Sequence, residues 1–214
     1  SAGGLNGVMK ITVVGGNSGT GAQVVRMAQG AGHEVMCLSR RGMSAPLPGV
    51  LDVAGDALDG EVVRTAVEDA DVVIVTVGGA SGTNRHRTAV TQSVISAMQD
   101  VGVRRLIVHS SLGVGDSMTL MPAPARLFTR TVLKSALADH ADQESAVAAS
   151  GLDWTVVRPG GLTNGPATGS YVAQETADGL AMKGRISRAD VASYIVGILD
   201  DPTTFRRALA MGTP

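Results

Sequence analysis

The sequence of 214 residues contains little of two residue types on which many small folds depend, cysteine and the aromatics. Its single cysteine, Cys37, excludes a disulfide framework, so a reducing cytoplasm is the expected setting. Aromatic residues make up only 2% of the chain, so its core must be built from Val, Ile, Leu, Ala and Met. The same scarcity leaves almost no aromatic platforms on which nucleic-acid bases could stack.

The sequence also lacks a strong excess of charge and a long hydrophobic run. Its formal net charge is −1, which provides no basic field to attract nucleic acid or anionic lipid. No apolar stretch approaches the roughly 20 residues that a membrane-spanning helix requires. Residues 1–8 lack the features of a signal peptide, so we expect a flexible leader there and a single domain over residues 9–214.

Segments typical of strands and of helices alternate along the chain. The apolar run DVVIVTVGG (residues 71–79) has the length and continuity of a strand that is buried on both faces. Residues 123–150 are rich in alanine and helical in character, and residues 187–201 form another helical segment before the last strand candidate at 206–212. The alternation predicts an α/β fold with a parallel sheet and helices on both of its faces.

A glycine-rich stretch, VVGGNSGTGAQVV (residues 13–25), joins the first predicted strand to the first predicted helix. Such a turn lets the backbone approach a pyrophosphate, and the helix N-terminus supplies free N–H groups and a partial positive charge. Its place at the start of a βαβ unit favours a dinucleotide site over a purely structural turn. The predicted cofactor contacts are Gly15, Gly16, Asn17, Ser18, Gly19, Thr20 and Gly21.

The second predicted strand ends in CLSRRG (residues 37–42), which contains no carboxylate. NAD-binding proteins usually carry an acidic residue at this position, where it receives the ribose 2′-hydroxyl. Arg40 and Arg41 instead suit a 2′-phosphate, through charge-assisted bidentate hydrogen bonds. The pattern favours NADP(H) over NAD(H); the alternative is a pair of solvated arginines at a strand end.

The stretch VGGNSGTG (residues 14–21) resembles the turn of the short-chain dehydrogenase/reductase superfamily, which often reads TGGxSGxG. The resemblance implies a Rossmann-like, doubly wound parallel sheet in a single domain, with a small C-terminal extension on the substrate side. It also implies that Asp56 and Ala57 lie beside the adenine, and that backbone after the fourth strand follows the cofactor at Val77, Gly78 and Gly79. The alternatives are a helix N-cap for Asp56, which Asp59 could equally supply, and a simple chain turn for the glycines.

Most members of that superfamily carry a Tyr-x-x-x-Lys pair, whose lysine lowers the tyrosine pKa so that the phenol can exchange a proton with a carbonyl. The tyrosines of this chain are Tyr171 and Tyr194, and the residues four positions later are Glu175 and Ile198. The pair is therefore missing, which disfavours a sugar-nucleotide epimerase of the extended branch.

The chain is similar to the atypical branch typified by biliverdin-IXβ/flavin reductase and NmrA-like NADP(H)-binding proteins, in which the missing pair is normal. The similarity is carried by the strand-end Ser111, by Asp139–His140, and by two segments, SGLDWTVVRPGGLTNGPATG (150–169) and GRISRADVASYIVGILDD (184–201). It implies an NADPH-dependent reductase that passes hydride to a flavin, quinone-like or tetrapyrrole-like acceptor. A flavin would then be a substrate rather than a bound prosthetic group.

The same resemblance implies roles for residues on the acceptor side. Ser111 would orient the acceptor, Ser110 would contact the cofactor, and His140 lies where the tyrosine would otherwise stand. The nicotinamide side would be lined by Pro159, Gly160 and Gly161. The alternatives are a turn cap for the serines and a solvated His140, while His109 is expected to be a core histidine with its hydrogen bonds satisfied.

A second function stays open, a non-enzymatic protein that binds NADP(H) and signals the redox state to a partner. The expected ligands of the leading function are the cofactor and a small-molecule acceptor. We expect no nucleic acid, membrane or metal ion among the partners, and either a monomer or a homodimer in the cytoplasm.

Overall fold

The computed structural model describes residues 7–78, 85–121, 123–124, 126, 134–176, 182 and 185–213. Strands and helices alternate over these residues as the sequence predicts. In chain order the elements are β1 (Lys10–Val14), α1 (Gly19–Gly30), β2 (Glu34–Ser39), β3 (Val50–Ala54), α2 (Gly60–Val67), β4 (Val72–Val75), α3 (His86–Val101), β5 (Arg105–His109), α4 (Lys134–Ala149), β6 (Asp153–Pro159), β7 (Gly161–Thr163), β8 (Val172–Gln174), β9 (Arg185–Ser187), α5 (Arg188–Gly197) and β10 (Arg207–Gly212).

The main sheet has the strand order β3-β2-β1-β4-β5-β6-β10-β8. Its neighbouring strands are parallel, except that β8 runs antiparallel to β10. This order confirms the predicted Rossmann-like, doubly wound sheet in a single domain. The order reverses at β1, whose neighbours are β2 and β4, and sheets of this type bind ligands in the crevice at that point, outside the carboxyl ends of the strands.

Two apolar cores cover the two faces of the sheet. Side chains of successive strand residues point to opposite faces, so Val13 packs in one core with α1 and α5, and Val14 packs in the other with α2 and α3. Cys37 is buried in the first core, where burial raises the pKa of its thiol to about 11 and keeps it protonated. Among the described residues, no helix has the length and apolarity needed to cross a bilayer.

The C-terminal extension contains one feature that the sequence did not predict. β7 and β9 pair in parallel as a separate two-stranded sheet, in which Gly161 lies opposite Arg185 and Thr163 lies opposite Ser187. Each strand has only three residues, too few for a period-2 pattern to be recognised in a sequence. This small sheet leads directly into α5 and places the start of that helix near the glycine turn.

Candidate dinucleotide and acceptor site

A pocket of about 330 Å³ opens at the carboxyl edge of the sheet, between the glycine turn and the ends of β2 and β4. Nine of the residues predicted to contact a cofactor line it: Gly15, Asn17, Ser18, Arg40, Arg41, Asp56, Ala57, Val77 and Gly78. Thr76, the first residue of the segment TVGG that the resemblance places along the cofactor, also lines it. Six lining residues were not predicted: Val14, Leu38, Ser39, Gly55, His86 and Val90. Most of these flank predicted positions at strand ends, whereas His86 and Val90 belong to α3 and reach the pocket through tertiary packing.

A pocket of similar volume, about 330 Å³, lies at the opposite edge of the sheet, beside Lys10, Glu34 and Asp69. None of the predicted site residues lines it. Because doubly wound sheets bind ligands outside the carboxyl ends of their strands, the pocket at the glycine turn is the candidate site.

The glycine turn is packed tightly against the end of β4. The Thr76 hydroxyl lies 3.2 Å from the carbonyl oxygens of both Val14 and Gly15. A β-carbon on Gly21 would lie within 3.0 Å of the Thr76 hydroxyl oxygen and of the Gly15 carbonyl oxygen, a contact that proteins do not tolerate. Gly19, the first residue of α1, has φ +55 in the left-handed region. The glycines thus let the turn pack against the end of β4 without β-carbons, which leaves its backbone as a cradle at the N-terminus of α1 that fits a diphosphate.

The other glycine-turn residues lie beneath or beside the pocket. Gly16, Thr20 and Gly21 do not line it, and Thr20 is a buried residue of the first turn of α1. Gly19 faces an adjoining pocket between α1 and α5. The predicted turn residues therefore lie together in the structure. Some of them form the surface of the pocket, and the others pack behind that surface.

Arg40 and Arg41 lie on the pocket wall just beyond the end of β2. Both are exposed, and neither forms an ion pair with any residue that the structure describes. The loop that carries them is held in place by Asp52 of β3, whose carboxylate accepts a hydrogen bond from the Met43 N–H at 2.8 Å. Both arginines, unpaired among the described residues, therefore line the wall at the strand end where a ribose 2′ substituent is expected.

The start of α2 shows whether Asp56 or Asp59 is the N-cap of that helix. Asp59 caps that helix, since its carboxylate accepts the N–H groups of Glu61 and Val62. Asp56 only accepts the Leu58 N–H within the preceding turn, at 3.0 Å, and it lines the pocket together with Ala57. After β4, Val77 and Gly78 line the pocket as well, while Gly79 lies outside the described residues.

The two serines after β5 have different surroundings. The Ser110 hydroxyl is buried, donates to Glu144 Oε1 at 2.5 Å and lies 3.5 Å from His140 Nδ1. The Ser111 hydroxyl is half-buried and donates to the Leu112 carbonyl oxygen at 3.2 Å. Ser110 rather than Ser111 is therefore the serine whose side chain contacts α4.

His140 is buried between α4 and the end of β5, which excludes the alternative of a solvated side chain. Its Nδ1 lies 3.2 Å from Gln143 Oε1, and the Gln143 amide nitrogen donates to the Thr91 hydroxyl at 2.9 Å. In the tautomer in which Nδ1 donates to this amide oxygen, Nε2 retains its lone pair. Burial, and then the charge of Arg87, lowers the pKa of His140 to about 4, so the imidazole is neutral near pH 7.

A buried ion pair lies next to this histidine. Glu144, four residues after His140 on α4, accepts hydrogen bonds from Arg158 Nε and Nη2, the latter at 2.6 Å. Arg158 Nη1 also donates to Asp116 at 2.8 Å. Sequence analysis missed Glu144 and Arg158, although the four-residue spacing from His140 puts Glu144 on the same face of a helix.

His109 lies within β5 as predicted, but the expectation that its hydrogen bonds are satisfied is wrong. Its Nε2 is buried and has no hydrogen-bond partner among the described residues. Burial, and then the neighbouring His140, lowers the pKa of His109 to about 4. The histidine therefore contributes a neutral ring to this end of the sheet.

Pro159 ends β6 at the same edge of the sheet, Gly160 follows it, and Gly161 begins β7. The Pro159 carbonyl oxygen accepts the Leu112 N–H at 2.9 Å, and the Gly160 N–H donates to Met211 at 2.9 Å. None of the three lines the pocket beside Arg40 and Arg41. They lie instead beside the end of β5. The predicted site residues therefore form two groups, one that lines the pocket at the ends of β2 and β4 and one at the ends of β5 and β6.

Comparisons with known proteins identify the family to which the chain belongs. The model of the NAD(P)H-binding family matches residues 15–202. An uncharacterized sugar epimerase from Bacillus subtilis, YhfK, is 28% identical, with 94% of this chain and 92% of that protein covered. Isoflavone reductase homolog P3 from Arabidopsis thaliana is 27% identical, with 94% of this chain and 67% of that protein covered.

Solved structures give the same result. ChuY from Escherichia coli O157:H7, described as an anaerobilin reductase, has a TM-score of 0.78 and 27% identity, with 96% and 97% of the two chains covered. A short-chain dehydrogenase/reductase from Veillonella parvula in complex with NADP has a TM-score of 0.82 over 96% and 95% of the chains, but only 20% identity, and therefore shows the fold alone. The chain thus belongs to the NAD(P)H-binding family, within the atypical short-chain dehydrogenase/reductase and NmrA-like branch.

Proposed function

We propose that the protein is an NADPH-dependent oxidoreductase that passes hydride to a flavin, quinone-like or tetrapyrrole-like acceptor without a Tyr-x-x-x-Lys acid. The observation that carries this proposal is the polar network of Ser110, His140 and Glu144, located where β5 ends. ChuY supports the tetrapyrrole-like class of acceptor, since the reductase activity in its description is directed at a bilin.

The network is poorly suited to donating a proton. The Ser110 hydroxyl is already engaged as a donor to the Glu144 carboxylate, and the low pKa of His140 leaves that imidazole neutral at pH 7. Reduction of a simple carbonyl needs an acid close to the developing oxyanion. A conjugated acceptor instead spreads the incoming charge and can take its proton from water after hydride transfer, so positioning of the acceptor against the cofactor suffices.

The bound dinucleotide would supply the hydride. Gly15, Gly16, Asn17, Ser18, Gly19, Thr20 and Gly21 would form its diphosphate cradle, and Asp56, Ala57, Val77 and Gly78 would line the adenosine half. Ser110, Pro159, Gly160 and Gly161 would border the nicotinamide. Ser111 and His140 would orient the acceptor, His140 through the unprotonated Nε2, which can accept a hydrogen bond from an N–H or O–H group.

We further propose that NADPH is preferred over NADH. Arg40 and Arg41 are exposed on the pocket wall and pair with no carboxylate of the described residues, so each can form charge-assisted hydrogen bonds with a 2′-phosphate. Replacing both with alanine should weaken NADPH binding by roughly 30-fold or more, from about 1–1.5 kcal/mol per exposed contact. NADH binding should change little, and Arg64→Ala, on the exposed face of α2, serves as the matched control.

The activity is tested by NADPH oxidation with a panel containing FMN, a soluble quinone and a bilin, measured against a control without protein. Turnover of at least one of these acceptors well above the control is expected. Tight NADPH binding with no turnover across the panel would contradict the reductase and favour the cofactor-sensing alternative. Equal losses of NADPH and NADH affinity in the double arginine variant would refute the assignment of the 2′-phosphate.

A further inference from the structure

Besides Arg40 and Arg41, a further arginine lies close to the glycine turn. It is Arg188, which belongs to the C-terminal extension. It is half-buried and is the first residue of α5, directly after β9. The position that a β-carbon would take on Gly19 lies 3.6 Å from Arg188 Nε. A residue about 170 positions later in the chain therefore comes within contact distance of the cradle described above.

The guanidinium of Arg188 has a neutral partner. Its Nη1 donates to the side-chain oxygen of Asn164 at 2.8 Å, and it forms no ion pair among the described residues. The nearest acidic residue on α5, Asp190, is engaged elsewhere, since its carboxylate accepts the N–H groups of Thr168 and Gly169, both at 2.8 Å. Asn164 thus fixes the direction of the guanidinium without neutralising its charge.

The location of this charge is electrostatically unfavourable in the protein alone. Arg188 occupies the first turn of α5, where the helix dipole presents partial positive charge, and it faces the N-terminus of α1, which does the same. A cation at such a position costs free energy unless an anion is bound beside it. The arrangement therefore indicates an anionic ligand at this point.

A pocket of about 290 Å³ lies between the two helices, next to the candidate dinucleotide site. Asn17 and Ser18 line both pockets, so the two spaces meet at the glycine turn. Arg26 and Arg188 both line the smaller pocket, and no Asp or Glu does so among the described residues. Its lining is suited to a phosphate or carboxylate group.

We propose that Arg188 binds the diphosphate of the dinucleotide, with Asn164 as the residue that positions its guanidinium. The C-terminal extension then supplies a wall of the cofactor site opposite Arg40 and Arg41. This assignment rests on the proposed binding of NADP(H), and the diphosphate is favoured over an anionic group of the acceptor because Arg188 lies directly beside Gly19 of the turn.

The test compares the full-length wild type with Arg188→Gln, using two probes. NADPH contains the diphosphate, whereas 2′-AMP contains the adenosine and the 2′-phosphate but no diphosphate. We expect Arg188→Gln to raise the Kd for NADPH by roughly 10- to 100-fold, as for loss of a charge-assisted contact, and to leave the Kd for 2′-AMP within about twofold. The double alanine variant of Arg40 and Arg41 should instead weaken both probes.

Two further variants keep the result interpretable. Arg188→Lys keeps the charge but loses the planar fork, so its Kd for NADPH should lie between those of the wild type and Arg188→Gln. Arg64→Gln, on α2 and distant from both pockets, should bind both probes as the wild type does. Thermal unfolding of each variant without ligand checks that the fold is retained.

The outcomes separate this inference from the proposed function. A wild type that fails to bind NADPH would overturn the proposed function. A wild type that binds NADPH, with Arg188→Gln binding it equally well, would overturn only the assignment of Arg188. An unchanged Kd for NADPH together with a raised KM for a carboxylated acceptor would also overturn it and would assign the arginine to the acceptor.

Discussion

Replacing Glu144 with alanine tests whether the buried ion pair beside His140 stabilises the fold. The side chains of Arg158 and Glu144 are only 10% and 11% exposed, and their closest nitrogen and oxygen atoms are 2.6 Å apart. The replacement leaves a buried guanidinium whose other partner is Asp116, at 2.8 Å but with a side chain that is 66% exposed. It also removes the acceptor of the Ser110 hydroxyl.

The expected loss follows from this burial. Removing one partner of a buried pair costs about 3–5 kcal/mol, because the remaining charge is left in a medium of low dielectric constant. Asp116 retains part of the compensation, so we expect the free energy of unfolding to fall by about 3 kcal/mol. With a urea m-value of about 3 kcal/mol per M for a chain of this size, the unfolding midpoint should drop by roughly 1 M.

The chain offers a matched control in Glu175→Ala. Glu175 pairs with Arg207 at the same distance, 2.6 Å, but the two side chains are 37% and 50% exposed. Because solvent screens an exposed pair, this control should lose less than about 1 kcal/mol. Urea unfolding followed by far-UV circular dichroism measures both variants, and equal losses in the two would refute the argument from burial.

Two other predictions concern the glycine turn and the histidine. Gly21→Ala should abolish NADPH binding, measured by fluorescence titration, because its β-carbon would displace the turn. Gly30→Ala is the control: this glycine lies in the same helix with open space around it, so the variant should bind NADPH as the wild type does. Because the pKa of His140 is lowered from 6.5 to about 4, the unfolded chain binds more protons than the folded protein between those pH values. His140 should therefore account for about 3 kcal/mol of the fall in the free energy of unfolding, measured by urea titration, as the pH drops through this range. The pKa of His109 is lowered to about the same value and adds to the fall, so His140→Gln should make the profile less steep without removing its slope; an equally steep profile in that variant would contradict the assignment.

Patterns that are local in the chain were sufficient to predict the fold and many of the residues that line the pocket at the glycine turn. Strand–helix alternation predicted the doubly wound sheet, because continuous apolar runs and amphipathic segments depend only on neighbouring residues. The glycines of residues 15–21 and the arginines at 40 and 41 could be placed from sequence for the same reason. Each set directly follows a predicted strand, and the carboxyl ends of parallel strands lie at one edge.

The orientation of the serines after β5 required the tertiary structure. Adjacent side chains in an extended segment point to opposite faces, so either Ser110 or Ser111 could face α4. The packing of α4 decided in favour of Ser110, through the hydrogen bond to Glu144. The resemblance to a known branch, which rests on similarity between segments, assigned the orienting role to Ser111 and could not make this distinction.

Two adjacent arginines illustrate what cannot be predicted from the sequence alone. Arg104 and Arg105 have the same chemistry and neighbouring positions, yet Arg104 forms an exposed ion pair with Asp153, while Arg105 is buried and donates to the carbonyl oxygens of Ile198 and Leu199 at the end of α5. The sequence by itself determined the order of elements, the glycine turn between β1 and α1 and the absence of the tyrosine–lysine pair, because each is a property of residues close together in the chain. Only the tertiary structure decided which polar side chains meet, as Arg188 meets the glycine turn, because those contacts join residues that sequence spacing does not relate.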